Sequence, residues 1–134
     1  GVGGDQSYQQ YSICKPMLQT ASNQQTTQWI TVCSLEQIIP NTGVCALLKG
    51  KQIAIFRIGN TEEIYAICNY DPFSKAYVLS RGIIGDRNGV PKVASPIYKQ
   101  NFNLITGQCL DNEAISVRAF PTKVVDGQVM VNVA

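Results

Sequence analysis

Two apolar runs, residues 44–48 and 53–58, stand on either side of the tripeptide KGK. Each run has the length of a strand, and Gly50 supplies the backbone freedom of a tight turn, so the pattern predicts a β-hairpin. Both runs are apolar at consecutive positions, which predicts strands covered on both faces. The signature recurs along the chain. GNTE at 59–62 predicts the next turn and EIYAICN at 63–69 a third strand. Asp126-Gly127 is a two-residue hairpin signal. Val129, Val131 and Val133 then alternate, which puts one face of the last strand in a core. WITVCSL at 29–35 reads as a strand leading into one helical turn over 35–38, capped by Ser34 and ended by Pro40 and Gly43. Many short strands with turn signals and very little helix predict an antiparallel all-β sandwich or barrel.

Two regions read differently. Residues 70–91, YDPFSKAYVLSRGIIGDRNGVP, hold three glycines and two prolines with little periodicity. They predict mostly loop, with one short helical or strand turn around 76–79. A loop of that length in a compact domain is often functional. Residues 1–28 are polar and glutamine-rich, which predicts a flexible extension. Within it only YSICKPML, residues 11–18, has enough apolar groups to dock on anything. The domain proper is therefore expected over 29–134, with no second domain and no internal repeat.

Function is constrained first by a missing residue type. The chain has no histidine. That removes histidine base catalysis, histidine-activated nucleophiles and imidazole metal ligands together. The five cysteines, at 14, 33, 45, 68 and 109, form no CxxC pair. They are expected as buried reduced thiols in a reducing, cytoplasmic setting. Net charge is +2 with scattered lysines and arginines, which argues against nucleic acid as a partner. No apolar run approaches the length of a membrane-spanning helix. Glu62-Glu63 and Asp111 with Glu113 stand in predicted turns and are expected to be solvated. RGIIGDRNG at 81–89 does not have a phosphate-cradling spacing. No catalytic residue, cofactor site or metal site is expected in this chain.

One constellation remains, NYDPF at 69–73 together with SPIYKQNFNLITG at 95–107. The pair resembles the two cluster-binding loops of a Rieske iron–sulfur domain, Cys-Pro-His and Cys-Pro-x-His-Gly, the second followed by a Phe-Asp-Leu-x-Thr-Gly type of tail. In such domains one iron takes two thiolates and the other two imidazoles. Asp71 stands at the first cysteine position and Phe73 at the first histidine. Ser95 stands at the second cysteine and Tyr98 at the second histidine. Pro72, Pro96 and Asn69 keep their places. Carboxylate and hydroxyl oxygens are hard, weak ligands for an iron–sulfide core and a phenyl ring is none, so no cluster is expected.

TGVCALLKGKQIAIFR, YAICNYDPFSKAYVLSRGIIG, VASPIYKQNFNLITGQCLDNE and ISVRAFPTKVVDGQVMV extend the likeness from 29 to 131. Taken together they resemble the small subunit of the assimilatory NAD(P)H-dependent nitrite reductase, a Rieske-like domain without the cluster ligands. The resemblance implies a cytoplasmic complex that converts nitrite to ammonium. Its large subunit would be this chain's partner and would carry FAD, an iron–sulfur cluster and sirohaem. This chain would be a non-catalytic subunit acting through protein–protein contact, with Pro72, Phe73, Tyr77, Pro96 and Tyr98 as the contact residues and Lys75, Arg81 and Lys99 beside them. A stand-alone Rieske-like binding module without a redox centre is the alternative. An electron-transfer protein with an unusual centre is a further one.

Overall fold

The computed structural model describes residues 14–16 and 28–134. Thirteen strands follow in chain order: β1 (Cys14–Pro16), β2 (Trp29–Ser34), β3 (Thr42–Leu48), β4 (Lys51–Arg57), β5 (Ile64–Cys68), β6 (Tyr70–Asp71), β7 (Ala76–Tyr77), β8 (Ile83–Arg87), β9 (Val90–Ala94), β10 (Asn101–Asn103), β11 (Ala119–Phe120), β12 (Thr122–Val125) and β13 (Gln128–Asn132). Helical structure among the described residues is limited to two 3₁₀ turns, Leu35–Gln37 and Leu79–Arg81. At the first, the Gln37 side chain accepts the Ser34 backbone N–H at 2.9 Å, half of a capping box. The strands form sheets ordered β1-β3-β4-β5-β11, β10-β9-β8, β12-β13-β2 and β6-β7, which do not close into a barrel.

Strand β4 organises the interior. Ile53 and Ile55 face one core, with Leu48, Val129 and Val131. Ala54 and Phe56, one position out of phase, face a second core with Leu79, Val93 and Phe102. A strand between two cores needs apolar side chains on both faces, which is why its sequence is apolar without alternation. Each large side chain buried in this way contributes about 1.5–3 kcal/mol. The alternating valines of β13 and the segment after it serve one core only, and Val129, Val131 and Val133 are all buried.

Three hairpins turn on two residues in the left-handed region: Lys49-Gly50 (φ 51° and 78°), Asn88-Gly89 (53° and 86°) and Asp126-Gly127 (52° and 76°). Both central residues at positive φ give the turn whose twist suits paired strands. A Cβ on Gly127 would meet nothing within 4 Å. Gly127→Ala should therefore meet only the strain of an L side chain in the left-handed region, about 1 kcal/mol in a urea unfolding curve, with the fold unchanged.

The Asn88-Gly89 turn corrects the loop expected over 70–91. That stretch contains β6, β7, a 3₁₀ turn and the β8–β9 hairpin instead. No residue of β8 is fully buried, so it carries none of the alternation by which a half-buried strand is recognised. The flexible extension expected over 1–28 lies outside the described residues except for β1. Cys14–Pro16 runs parallel to β3, with Cys14 across from Cys45.

Candidate functional site

The two proline loops fold into the same five-residue turn. In the first, Asp71 ends β6 and the Lys75 N–H donates to its carbonyl at 2.7 Å. In the second, Ser95 follows β9 and the Lys99 N–H donates to its carbonyl at 3.1 Å. Side chains cap both turns from the first position. Asp71 Oδ1 accepts from the Phe73 N–H at 2.9 Å, and Ser95 Oγ from the Ile97 N–H at 3.3 Å. Proline suits the second position, because its fixed φ fits the turn and its missing N–H is not needed there. Lys75 and Lys99 end the turns in the left-handed region, at φ 60° and 67°. The turn occurs a third time over residues 103–107. There Gly107 N–H donates to the Asn103 carbonyl at 2.7 Å, and Asn103 Oδ1 accepts from the Ile105 N–H at 2.8 Å.

A side-chain hydrogen bond joins the first two turns. The Ser95 hydroxyl donates to Asp71 Oδ2 at 2.5 Å, across 24 residues of sequence, and both residues are fully buried. The Ser74 hydroxyl donates to the same oxygen at 2.9 Å and the Ser74 N–H to Oδ1 at 3.4 Å. Four donors thus converge on one buried carboxylate. Burial pushes the Asp71 pKa up, but the bonds from Ser95, Phe73 and Ser74 outweigh it and hold the carboxyl below its ordinary value. Asn69, also buried, anchors the approach to the first turn. Its side-chain oxygen accepts the Ser80 N–H at 2.7 Å, and its amide donates to Gln52 Oε1 at 3.2 Å. Gly82 lets the second turn pack closely: a Cβ there would stand 2.2 Å from the Ala94 carbonyl oxygen, next to Ser95.

The four positions that the resemblance matches to cluster ligands therefore differ in their surroundings. Asp71 and Ser95 are bonded to each other. Phe73 is half-buried and packs on the second core, its ring 6.1 Å from that of Phe102. Tyr98 points outward, 61% exposed. Pro72 and Pro96 are half-buried. Tyr77 is 52% exposed, its ring 5.0 Å from Tyr70. Thus the expected contact group divides: Tyr77 and Tyr98 are open to a partner, Phe73 is largely an internal packing group. Ile97 on the second turn and Ile83, across from Ala94 in the β8–β9 register, add exposed apolar surface to this end.

Such a donor set does not fit an iron–sulfur cluster. It offers a carboxylate, a hydroxyl, a phenol and a phenyl ring in place of two thiolates and two imidazoles. The Asp71–Ser95 bond also brings together the two side chains that a cluster would hold apart. Among the described residues no three Asp, Glu, Cys or His side chains are grouped as a metal site would require. Two of the other acids are engaged locally: Glu63 accepts from the Tyr65 hydroxyl at 2.5 Å, and Asp111 meets Arg87 at 3.2 Å. Cys45 and Cys109 are buried as expected, whereas Cys33 and Cys68 are half-buried. No helix among the described residues is long and apolar enough to cross a membrane.

Sequence reasoning missed Ser74, Gly82 and the equivalence of Lys75 and Lys99. The parallel spelling of DPFSK and SPIYK, with Pro second and Lys fifth in each, was the available signal for the last.

Comparison with known proteins finds relatives along most of the chain. A Rieske-like [2Fe-2S] domain family matches residues 28–132. The nitrite reductase (NADH) small subunit of Salmonella typhimurium is 47% identical over 103 residues, which is 77% of this chain and 95% of that protein. The solution structure of the nitrite reductase [NAD(P)H] small subunit from Erwinia carotovora is 50% identical with a TM-score of 0.71, covering 81% of this chain and 84% of that one. The nitrite reductase [NAD(P)H] large subunit of Klebsiella oxytoca is 45% identical over 103 residues, 77% of this chain but 11% of that much longer protein.

Proposed function

Because the chain belongs to the Rieske-like family of nitrite reductase small subunits, we propose that it is a non-catalytic subunit of a cytoplasmic assimilatory nitrite reductase, docking on the large subunit through its two proline turns. The reaction takes nitrite to ammonium with NAD(P)H, a six-electron change that needs redox cofactors. FAD, an iron–sulfur cluster and sirohaem would reside in the large subunit. This chain's own residues supply a rigid contact end.

One observation carries the reading: the Asp71–Ser95 hydrogen bond stands where a redox centre would link the two loops. A cluster-binding architecture is thereby kept as a shape while its electron-transfer chemistry is given up. Exposed Tyr98 and Ile97 stand on the second proline turn and exposed Tyr77 follows the first on β7, and aromatic groups of this kind are enriched at interface centres. The Klebsiella oxytoca relative supports the choice of partner, since there a stretch similar to this chain lies within a polypeptide named as the large subunit.

Tyr98 and Phe73 separate contact from packing. Tyr98→Ala should leave the unfolding midpoint unchanged and weaken capture of the large subunit at least about tenfold. Phe73→Ala should lower stability by about 2–3 kcal/mol through loss of its packing on Phe102. Co-purification together with thermal melts checks both. Undiminished binding by Tyr98→Ala would remove the proline-turn end as the docking surface.

A further inference from the structure

Lys75 and Lys99 occupy the last position of the same turn, and at both the backbone is left-handed. Residues other than glycine are disfavoured in that conformation. The third copy of the turn has Gly107 there, so the turn itself accepts glycine. Lysine at both proline turns is thus not required by the backbone, although Lys99 Nζ also donates to the Pro96 carbonyl of its own turn at 3.2 Å.

Charge supplies the second observation. Lys75, Lys99 and the neighbouring Arg81 are all exposed. Asp71, the carboxylate of this end, is buried beneath four hydrogen-bond donors. Asp111, which accepts from the Asn101 N–H at the end of the second loop, is already held by Arg87 at 3.2 Å. Among the described residues no ion pair is seen for Lys75, Lys99 or Arg81, so the docking end presents positive charge. The cations stand on turns that the Asp71–Ser95 bond ties together, so the backbones that carry them are held in a fixed relation.

We propose that Lys75 and Lys99 form a paired recognition device for carboxylates, docking this end on an acidic patch of the large subunit while Tyr98 and Ile97 pack beside them. The inference rests on the docking reading above and adds the chemistry of the partner's face. Charged groups across an interface steer the encounter and fix register, and a like charge facing the partner strongly disfavours association.

The test measures binding of the purified full-length chain to the purified large subunit at about 50 and about 300 mM salt, where screening differs strongly. Three forms are compared: wild type, the double variant Lys75→Gly/Lys99→Gly, and the double variant Lys75→Glu/Lys99→Glu. Wild-type affinity should fall about tenfold or more over that salt range. The glycine double variant should melt no lower than wild type yet bind about tenfold more weakly at low salt, with little salt dependence. The glutamate double variant should bind about a hundredfold more weakly. Wild-type affinity in both double variants, with salt dependence unchanged, overturns the lysine assignment and leaves the docking reading in place. A glycine variant that melts several degrees lower but binds normally makes the lysines structural and overturns it as well. If wild type itself does not bind the large subunit, the docking reading fails and this proposal fails with it.

Discussion

Asp71→Ala is expected to destabilise the protein by about 3–4 kcal/mol in urea unfolding at neutral pH, because it strands buried donors and leaves a cavity where two turns meet. The carboxylate accepts from Phe73, Ser74 and Ser95 together, so no single neighbour can take its place. Asp71→Asn should lose less, about 1–2 kcal/mol. Its amide oxygen keeps the Phe73 and Ser74 N–H groups, and the two serine hydroxyls can rotate to accept from the amide nitrogen.

The pH dependence has a definite sign. The folded pKa of Asp71 lies below its ordinary value. Its ionised form therefore contributes stability that is fully present above the unfolded value of about 4 and is lost as pH falls through the folded one. The stability gap between wild type and Asp71→Asn should be constant from neutral pH down to about 4, then narrow. A gap that persists unchanged into strong acid would show that ionisation of Asp71 is not the source of the effect.

Gly107→Ala carries the second large effect. Gly107 and Gly127 have similar backbone angles, φ 84° and 76°, yet their surroundings differ completely. A Cβ on Gly107 would stand 2.0 Å from the Val117 carbonyl oxygen. The Val117 N–H donates to the Gly107 carbonyl at 2.8 Å, so the two segments are tied together and neither can yield. The loss should exceed about 4 kcal/mol or prevent folding, against about 1 kcal/mol for Gly127→Ala. Losses of the same size at the two positions would mean that the Val117 backbone moves aside easily, contrary to the packing described. Because Gly107 closes the turn that follows β10, such a variant should also disturb Phe102, which backs Phe73 in the second core.

Local signals in the sequence led to much of the fold. KGK and Asp126-Gly127 predict hairpins because their residues tolerate positive φ, and both hairpins are present. The consecutive apolar residues of β4 predict burial on two faces, which follows from its place between two cores. The β8–β9 hairpin was missed although Asn88-Gly89 is an equally strong turn signal. Strand β8 lies on a sheet edge and has no fully buried residue, so the pattern that would have framed the turn on that side was absent. The site was legible in outline. DPF and SPIY mark the two loops, and the replacement of thiolate and imidazole by other groups needs only residue identity.

What the sequence by itself determined is therefore local and chemical: where the chain turns, which strand is covered twice, and that the four loop positions lack ligands for iron and sulfur. Only the tertiary structure decided that Asp71 and Ser95 bond to each other across 24 residues, and that Phe73 turns inward while Tyr98 turns out. Phe73 and Ile97 hold the same third position of the two turns, and nothing in the sequence says that the first packs inward while the second is exposed. Which one is buried depends on what packs beneath it, and Phe102 lies beneath only one.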